Sequence, residues 1–173
     1  MTIVCFSHGQ ESGPWGTKIR ALADVARGAG HTVESLDYRG MTDPRDRARK
    51  LSTWCRAQPA PAILVGSSMG GYVALAAASD VGAAGLFLMA PALYVPGYAS
   101  IPVPPPPSCR LTIVHGWQDD ILPWSGSTRY GELSRGRVVL VPDDHRLVGD
   151  LPGLCRVFRL FLDELDEAVD DAI

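Results

Sequence analysis

The chain has 173 residues, 46% hydrophobic and 20% charged, with a net charge of −3. This is ordinary globular composition, long enough for one domain with a substantial core. The weak negative charge, with no basic run carrying interleaved aromatics, excludes an electrostatic binder of nucleic acid or of anionic membranes.

Cys5, Cys55, Cys109 and Cys155 are widely spaced and form no C-x-x-C. They fit reduced thiols better than a disulfide framework or a zinc site. The opening MTIVCFSHGQ lacks a basic leader and reads as a first strand, not a signal peptide. No apolar run approaches the ~20 residues of a membrane-spanning helix. The expectation is a cytoplasmic protein without a membrane span.

In chain order, residues 2–7 predict a buried strand that enters a glycine-rich loop, Gly9–Gly16. A helix follows from about Thr17, read as its N-cap, to Arg27, with Ile19, Leu22, Ala23 and Ala26 on one face. Residues 32–37 predict a second strand. Asp43-Pro44 is a cap-plus-proline helix start. That helix is expected to bury Ala48, Leu51, Trp54 and Cys55 and to leave Arg45, Arg47, Arg49 and Lys50 in water.

The run Ile63-Leu64-Val65 predicts a third strand. It leads into Gly66-Ser67-Ser68-Met69-Gly70 and a helix apolar on nearly every side, Tyr72–Ala78. Gly85–Met89 is a fourth strand. The connection 90–109 has no helical period, and its Ile101–Pro107 run reads as an extended strap. Arg110–His115 and Arg137–Val141 are strands five and six, with a weak helix from Trp124 between them. The last helix, from about Pro152 to Ala168, carries a clear amphipathic stripe, and its acidic tail 163–171 is expected to fray into solvent. Strands alternating with helices imply an α/β fold, a mainly parallel six-stranded sheet covered on both faces, with ligands at the strands' C-terminal ends.

Strand, glycine-flanked serine and buried helix form the context of a nucleophile elbow. A Cβ at position 66 or 70 would crowd the neighbouring backbone there. A serine hydroxyl needs a base, and the base needs an acid to fix its tautomer. The order Ser, Asp, His expected of this elbow is supplied by Ser68, Asp119 or Asp120, and His145. His8 and His115 also end strands and read as packing beneath turns. His31 lies in a loop at the opposite edge of the sheet and reads as a surface residue. Asp143 and Asp144 read as caps of the turn before the last helix. Backbone N–H groups of Gln10 and Met69 are the candidate donors to an oxyanion, with the Glu11 side chain turned outward.

The segments SHGQ, LDYRG, GSSMGG, HGWQDDILP and DHRL, read together, make the chain resemble a small α/β-hydrolase of the lidless serine esterase and acyl-protein thioesterase type. The resemblance covers nearly the whole chain. It implies Asp119 as the acid, strand order 2-1-3-4-5-6, and a single domain at 1–173 lacking the family's first two strands and its helical cap. It also implies an open apolar site bounded by Trp15, Met69, Leu93, Tyr94, Trp117 and Leu122. The activity implied is hydrolysis of carboxylic esters, small-molecule acyl esters foremost, through an acyl-enzyme. Thioesters are an alternative substrate, and a non-catalytic binding module is the alternative of a different class. Retention of all three triad residues argues against the last. No metal or organic cofactor is expected, because ligand clusters and dinucleotide fingerprints are absent from the sequence.

Overall fold

The computed structural model describes residues 2–95 and 101–170. Its order is β1 (Ile3–Ser7), α1 (Thr17–Gly28), β2 (Thr32–Leu36), α2 (Pro44–Arg56), β3 (Ile63–Ser67), α3 (Met69–Val81), β4 (Gly85–Met89), β5 (Arg110–Gly116), α4 (Trp124–Ser134), β6 (Arg137–Val141) and α5 (Leu151–Asp170). The strands form one six-stranded sheet in the order β2-β1-β3-β4-β5-β6. Every pairing is parallel.

Central strands β3 and β4 are buried along their whole length, so alternation disappears and they read as continuous apolar runs. At the edges, β2 and β6 keep exposed or half-buried positions. One core packs α2, α3 and α4 on one face, through residues such as Leu51, Leu75 and Tyr130. The other packs α1 and α5 on the opposite face, where Phe87, Phe158 and Phe161 form an aromatic cluster with Phe87 and Phe158 edge to face at 4.9 Å.

Several expectations need correction. Gly16, not Thr17, caps α1, and it caps without a side-chain bond. Arg47 is buried, 2% exposed, because backbone carbonyls receive its guanidinium and Tyr38 lies beneath it. His31 is also buried, since α5 runs far enough to bring Asp166 within 3.6 Å of its ring. The acidic end of the chain is helical through Asp170, held partly by Glu164 bonding both Arg110 and Arg137; residues 171–173 lie outside the described residues.

Within the connection from β4 to β5, residues 96–100 are likewise outside the description. Its proline-rich part is tied down through its carbonyls: Tyr72 bonds Pro102, Tyr130 bonds Pro104 and Ser79 bonds Pro105. Three side chains from two helices therefore hold this strap across the face covered by α3 and α4.

Candidate active site

At the turn from β3 to α3, Ser68 adopts φ 56° and ψ −121°, a backbone conformation that non-glycine residues rarely visit. The surroundings over-determine it. The Ser68 N–H donates to Met89 O at 3.0 Å, and its carbonyl accepts from Gly71 N and Ala92 N at 2.9 and 3.0 Å. A Cβ on Gly66 would collide with the Gly70 carbonyl, and one on Gly70 with the Ser7 carbonyl of β1. The elbow is tight because both positions are glycine.

The loops after β5 and β6 are joined by backbone hydrogen bonds. Trp117 N donates to Val141 O at 2.8 Å and Gln118 N to Asp143 O at 3.0 Å. Gly116 permits this approach, since a Cβ there would strike the Asp143 carbonyl. The Asp143 carboxylate closes the second loop by accepting from Gly149 N at 2.9 Å, and Asp144 accepts from Arg146 N at 2.8 Å. Both aspartates cap this turn, as their place in the sequence suggests.

That junction brings Asp119 under His145. Asp119 Oδ2 lies 2.7 Å from His145 Nδ1, and His145 Nε2 lies 3.1 Å from Ser68 Oγ. With Nδ1–H donating to the carboxylate, Nε2 is bare and accepts the serine hydroxyl. Asp120 is exposed; the carboxylate that meets the imidazole is Asp119.

A second imidazole shares that carboxylate. His115 Nε2 donates to Asp119 Oδ2 at 2.9 Å and lies 3.1 Å from Leu122 O, while its Nδ1 accepts from Ser127 Oγ at 2.7 Å. Burial pushes the His115 pKa down, against the pull of Asp119, so the ring is held neutral. For Asp119 burial works to raise the pKa. Hydrogen bonds from Leu122 N, His145 and Ile121 N outweigh it and hold the carboxyl below its usual range. The sequence pattern places His115 only as a packing residue at the end of its strand. No local spacing rule signals its contact with Asp119, because β5 ends between them at Gly116 and the turn decides where the carboxylate points.

Beside Ser68 opens a cleft of about 630 Å³. Gln10 and Met69 flank the serine there, and Tyr72, Tyr94, Val95, Ile101, Val103, Ile121 and Leu122 form largely apolar walls. Of the residues that the resemblance places around the site, Met69, Tyr94 and Leu122 line this cleft. Trp15, Leu93 and Trp117 do not. Trp15 packs at the α1–α5 side beneath the Arg27 guanidinium, 5.8 Å from its ring centre. Leu93 is buried in the core under the cleft, 4% exposed. Trp117 is half exposed with its edge against Trp124. Tyr72, Ile101 and Val103 were missed. Tyr72 lies one helical turn past Ser68, and Ile101 and Val103 alternate in the extended strap, whose sequence gives no sign of which side chains face the cleft. Among the described residues no group of His, Cys, Asp and Glu side chains could hold a metal ion.

The model of the alpha/beta hydrolase family matches residues 3–172. The chain belongs to this family. Among solved structures, a protein from Xanthomonas campestris placed in the alpha/beta hydrolase superfamily is 30% identical, with 95% of this chain and 99% of that one covered and a TM-score of 0.86. Est1E from Butyrivibrio proteoclasticus is 18% identical over 96% of this chain and 88% of its own, with a TM-score of 0.83. A serine hydrolase without a lid, also from Xanthomonas campestris, is 21% identical over 94% and 81%, with a TM-score of 0.73. No curated protein matches this chain. This α/β-hydrolase has, among its described residues, no helix long and apolar enough to cross a membrane.

Proposed function

We propose that this α/β-hydrolase cleaves carboxylic esters, with Ser68 as nucleophile, His145 as general base and acid, and Asp119 as the residue that orients and balances His145. The observation that carries the reading is the unbroken line from Ser68 Oγ to His145 Nε2 at 3.1 Å and from His145 Nδ1 to Asp119 Oδ2 at 2.7 Å. As Ser68 Oγ attacks the ester carbonyl, Nε2 takes its proton. The imidazolium so formed faces a carboxylate held ionised by its hydrogen bonds. The negative charge that develops on the carbonyl oxygen is received by the N–H groups of Met69, at the start of α3, and of Gln10. Among the described residues neither N–H is taken by a protein acceptor, and the α3 N-terminus adds a favourable dipole.

Collapse of the tetrahedral intermediate expels the alcohol, which takes the proton from Nε2. Water, deprotonated by the same nitrogen, then attacks the acyl-serine and frees the acid. The apolar cleft walls suit an apolar acyl group and offer no fixed charge for a charged one.

A fluorophosphonate probe and p-nitrophenyl acyl esters test this directly. Labelling and turnover are expected from the protein and lost in Ser68→Ala. Absence of labelling, or labelling that persists in Ser68→Ala, refutes the proposal.

A further inference from the structure

Arg47 is an anomaly of α2. Its guanidinium is buried, 2% exposed, and among the described residues no carboxylate pairs with it. Its donors go to main-chain carbonyls. Nε bonds Met41 O at 2.7 Å, and Nη1 lies between His8 O and Gly9 O at 3.4 and 3.3 Å. The face of the group lies 5.4 Å from the centre of the Tyr38 ring. An unpaired buried cation is costly, so its retention at this spot calls for a reason.

His8 closes the same knot. Its ring is fully buried. Tyr38 N donates to Nε2 at 2.9 Å, which leaves Nδ1–H to donate to Gly9 O at 2.7 Å. Burial, helped by Arg47, lowers the pKa of His8 and keeps it in the neutral form that this pattern needs. The Gly9 carbonyl therefore receives two donors from the protein interior. Position 9 sits against the elbow, where a Cβ would be 3.4 Å from Ser68 Cβ.

In a trans peptide the C=O and the next N–H point in opposite directions, and the chain has no cis bonds among its described residues. Drawing the Gly9 carbonyl inward thus drives the Gln10 N–H outward, to the cleft side where Gln10 and Ser68 are both exposed to a ligand. We infer that Arg47 is a positioning residue for the reaction: by gripping the His8 and Gly9 carbonyls it holds the Gln10 N–H aimed at the oxyanion beside Ser68. The inference rests on the serine hydrolase reading. It adds a residue from α2, remote in sequence from every group in the proton-transfer line.

Arg47→Lys and Arg47→Met test it, with p-nitrophenyl butyrate turnover, the rate of fluorophosphonate labelling and amide hydrogen exchange as readouts. A lysine reaches only part of the carbonyl set. With loss of a whole oxyanion donor costing about 10²–10³ in kcat, a loosened one is expected to cost about tenfold in Arg47→Lys and about a hundredfold in Arg47→Met. KM should stay within about twofold, because Arg47 does not line the cleft. Labelling should slow in parallel, since the probe's phosphoryl oxygen uses the same donors. Exchange should quicken in residues 8–12 and stay unchanged in β3 and β4. Arg47→Lys with kcat, labelling rate and loop exchange all at wild-type level overturns the inference, whether or not Arg47→Met folds. A loss confined to KM overturns it too. If the unsubstituted protein takes no label, the serine hydrolase reading is what fails. The exchange comparison then decides the anchoring alone, and unchanged exchange in residues 8–12 refutes it.

Discussion

Asp119→Asn probes the proposed charge arrangement most sharply, because the hydrogen bonds around Asp119 leave no fitting orientation for an isosteric amide. Asp119 accepts four hydrogen bonds. Oδ1 takes Ile121 N at 2.9 Å and Leu122 N at 2.8 Å; Oδ2 takes His145 Nδ1 at 2.7 Å and His115 Nε2 at 2.9 Å. Asparagine has one acceptor oxygen and one NH₂ group. Turned with its oxygen to the backbone, it presents N–H groups to both imidazoles. His145 must then accept at Nδ1 and carry its proton on Nε2, facing Ser68 Oγ, where it can no longer take the serine proton. Turned the other way, the NH₂ meets two backbone N–H groups with no acceptor between them. The wrong-tautomer case lowers kcat by about 10⁴ in serine proteases with this triad, which is about 5.4 kcal/mol of transition-state stabilisation at 1.36 kcal/mol per decade. A similar loss is expected here in p-nitrophenyl butyrate hydrolysis, with KM within a few-fold because Asp119 lies outside the cleft lining. Asp120→Asn, at an exposed neighbour, should stay within about threefold. The reasoning is refuted if Asp119→Asn keeps kcat within about tenfold of the parent with a native circular dichroism spectrum, or if Asp120→Asn loses as much.

Other expectations concern stability. Ser68 stores backbone strain at φ 56°, worth about 1–3 kcal/mol for a non-glycine residue, against which glycine loses about 0.5–1 kcal/mol more chain entropy. Ser68→Gly should therefore melt higher than Ser68→Ala by a few degrees, at about 2–4 °C per kcal/mol for a chain of this size; a Ser68→Gly protein that melts lower than Ser68→Ala would mean that the elbow is unstrained. His8 and His115 have depressed pKa values in the fold through burial, and Asp119 is depressed through its hydrogen bonds. In all three cases the unfolded chain binds protons at a higher pH than the folded one. Stability should be complete above about pH 6.5, fall as pH drops through that value, and fall again below about pH 4. Melting curves from pH 7.5 to 3.5 read this, and a flat melting temperature across the range would contradict it.

Much of this protein was legible in its residues one after another. The strand-helix alternation, the helix start at Asp43-Pro44 and the glycine-flanked serine are local patterns, and each reports its own element's burial or turn. Strands β4 and β6 span the apolar runs that predict them. The stripe Pro44, Arg47, Ala48 and Leu51, at helical spacing on the buried face of α2, even contained the sign that Arg47 faces inward. Its charge masked that sign, because an arginine among other basic residues ordinarily faces water. Sequence patterns alone left Asp119 and Asp120 open, and only the likeness to a family pointed to the first.

What the tertiary structure decided is which partners those elements meet. The choice of Asp119 as the neighbour of His145, the attachment of His115 to the same oxygen, the exclusion of Trp15, Leu93 and Trp117 from the cleft and the grip of Arg47 on the Gly9 carbonyl all depend on contacts between segments far apart in the chain. A side chain's direction in a loop follows from backbone angles, and here those angles are set by long-range bonds such as Gln118 N to Asp143 O. Residue spacing carries polarity and period, and neither says which distant carbonyl will come within 3 Å.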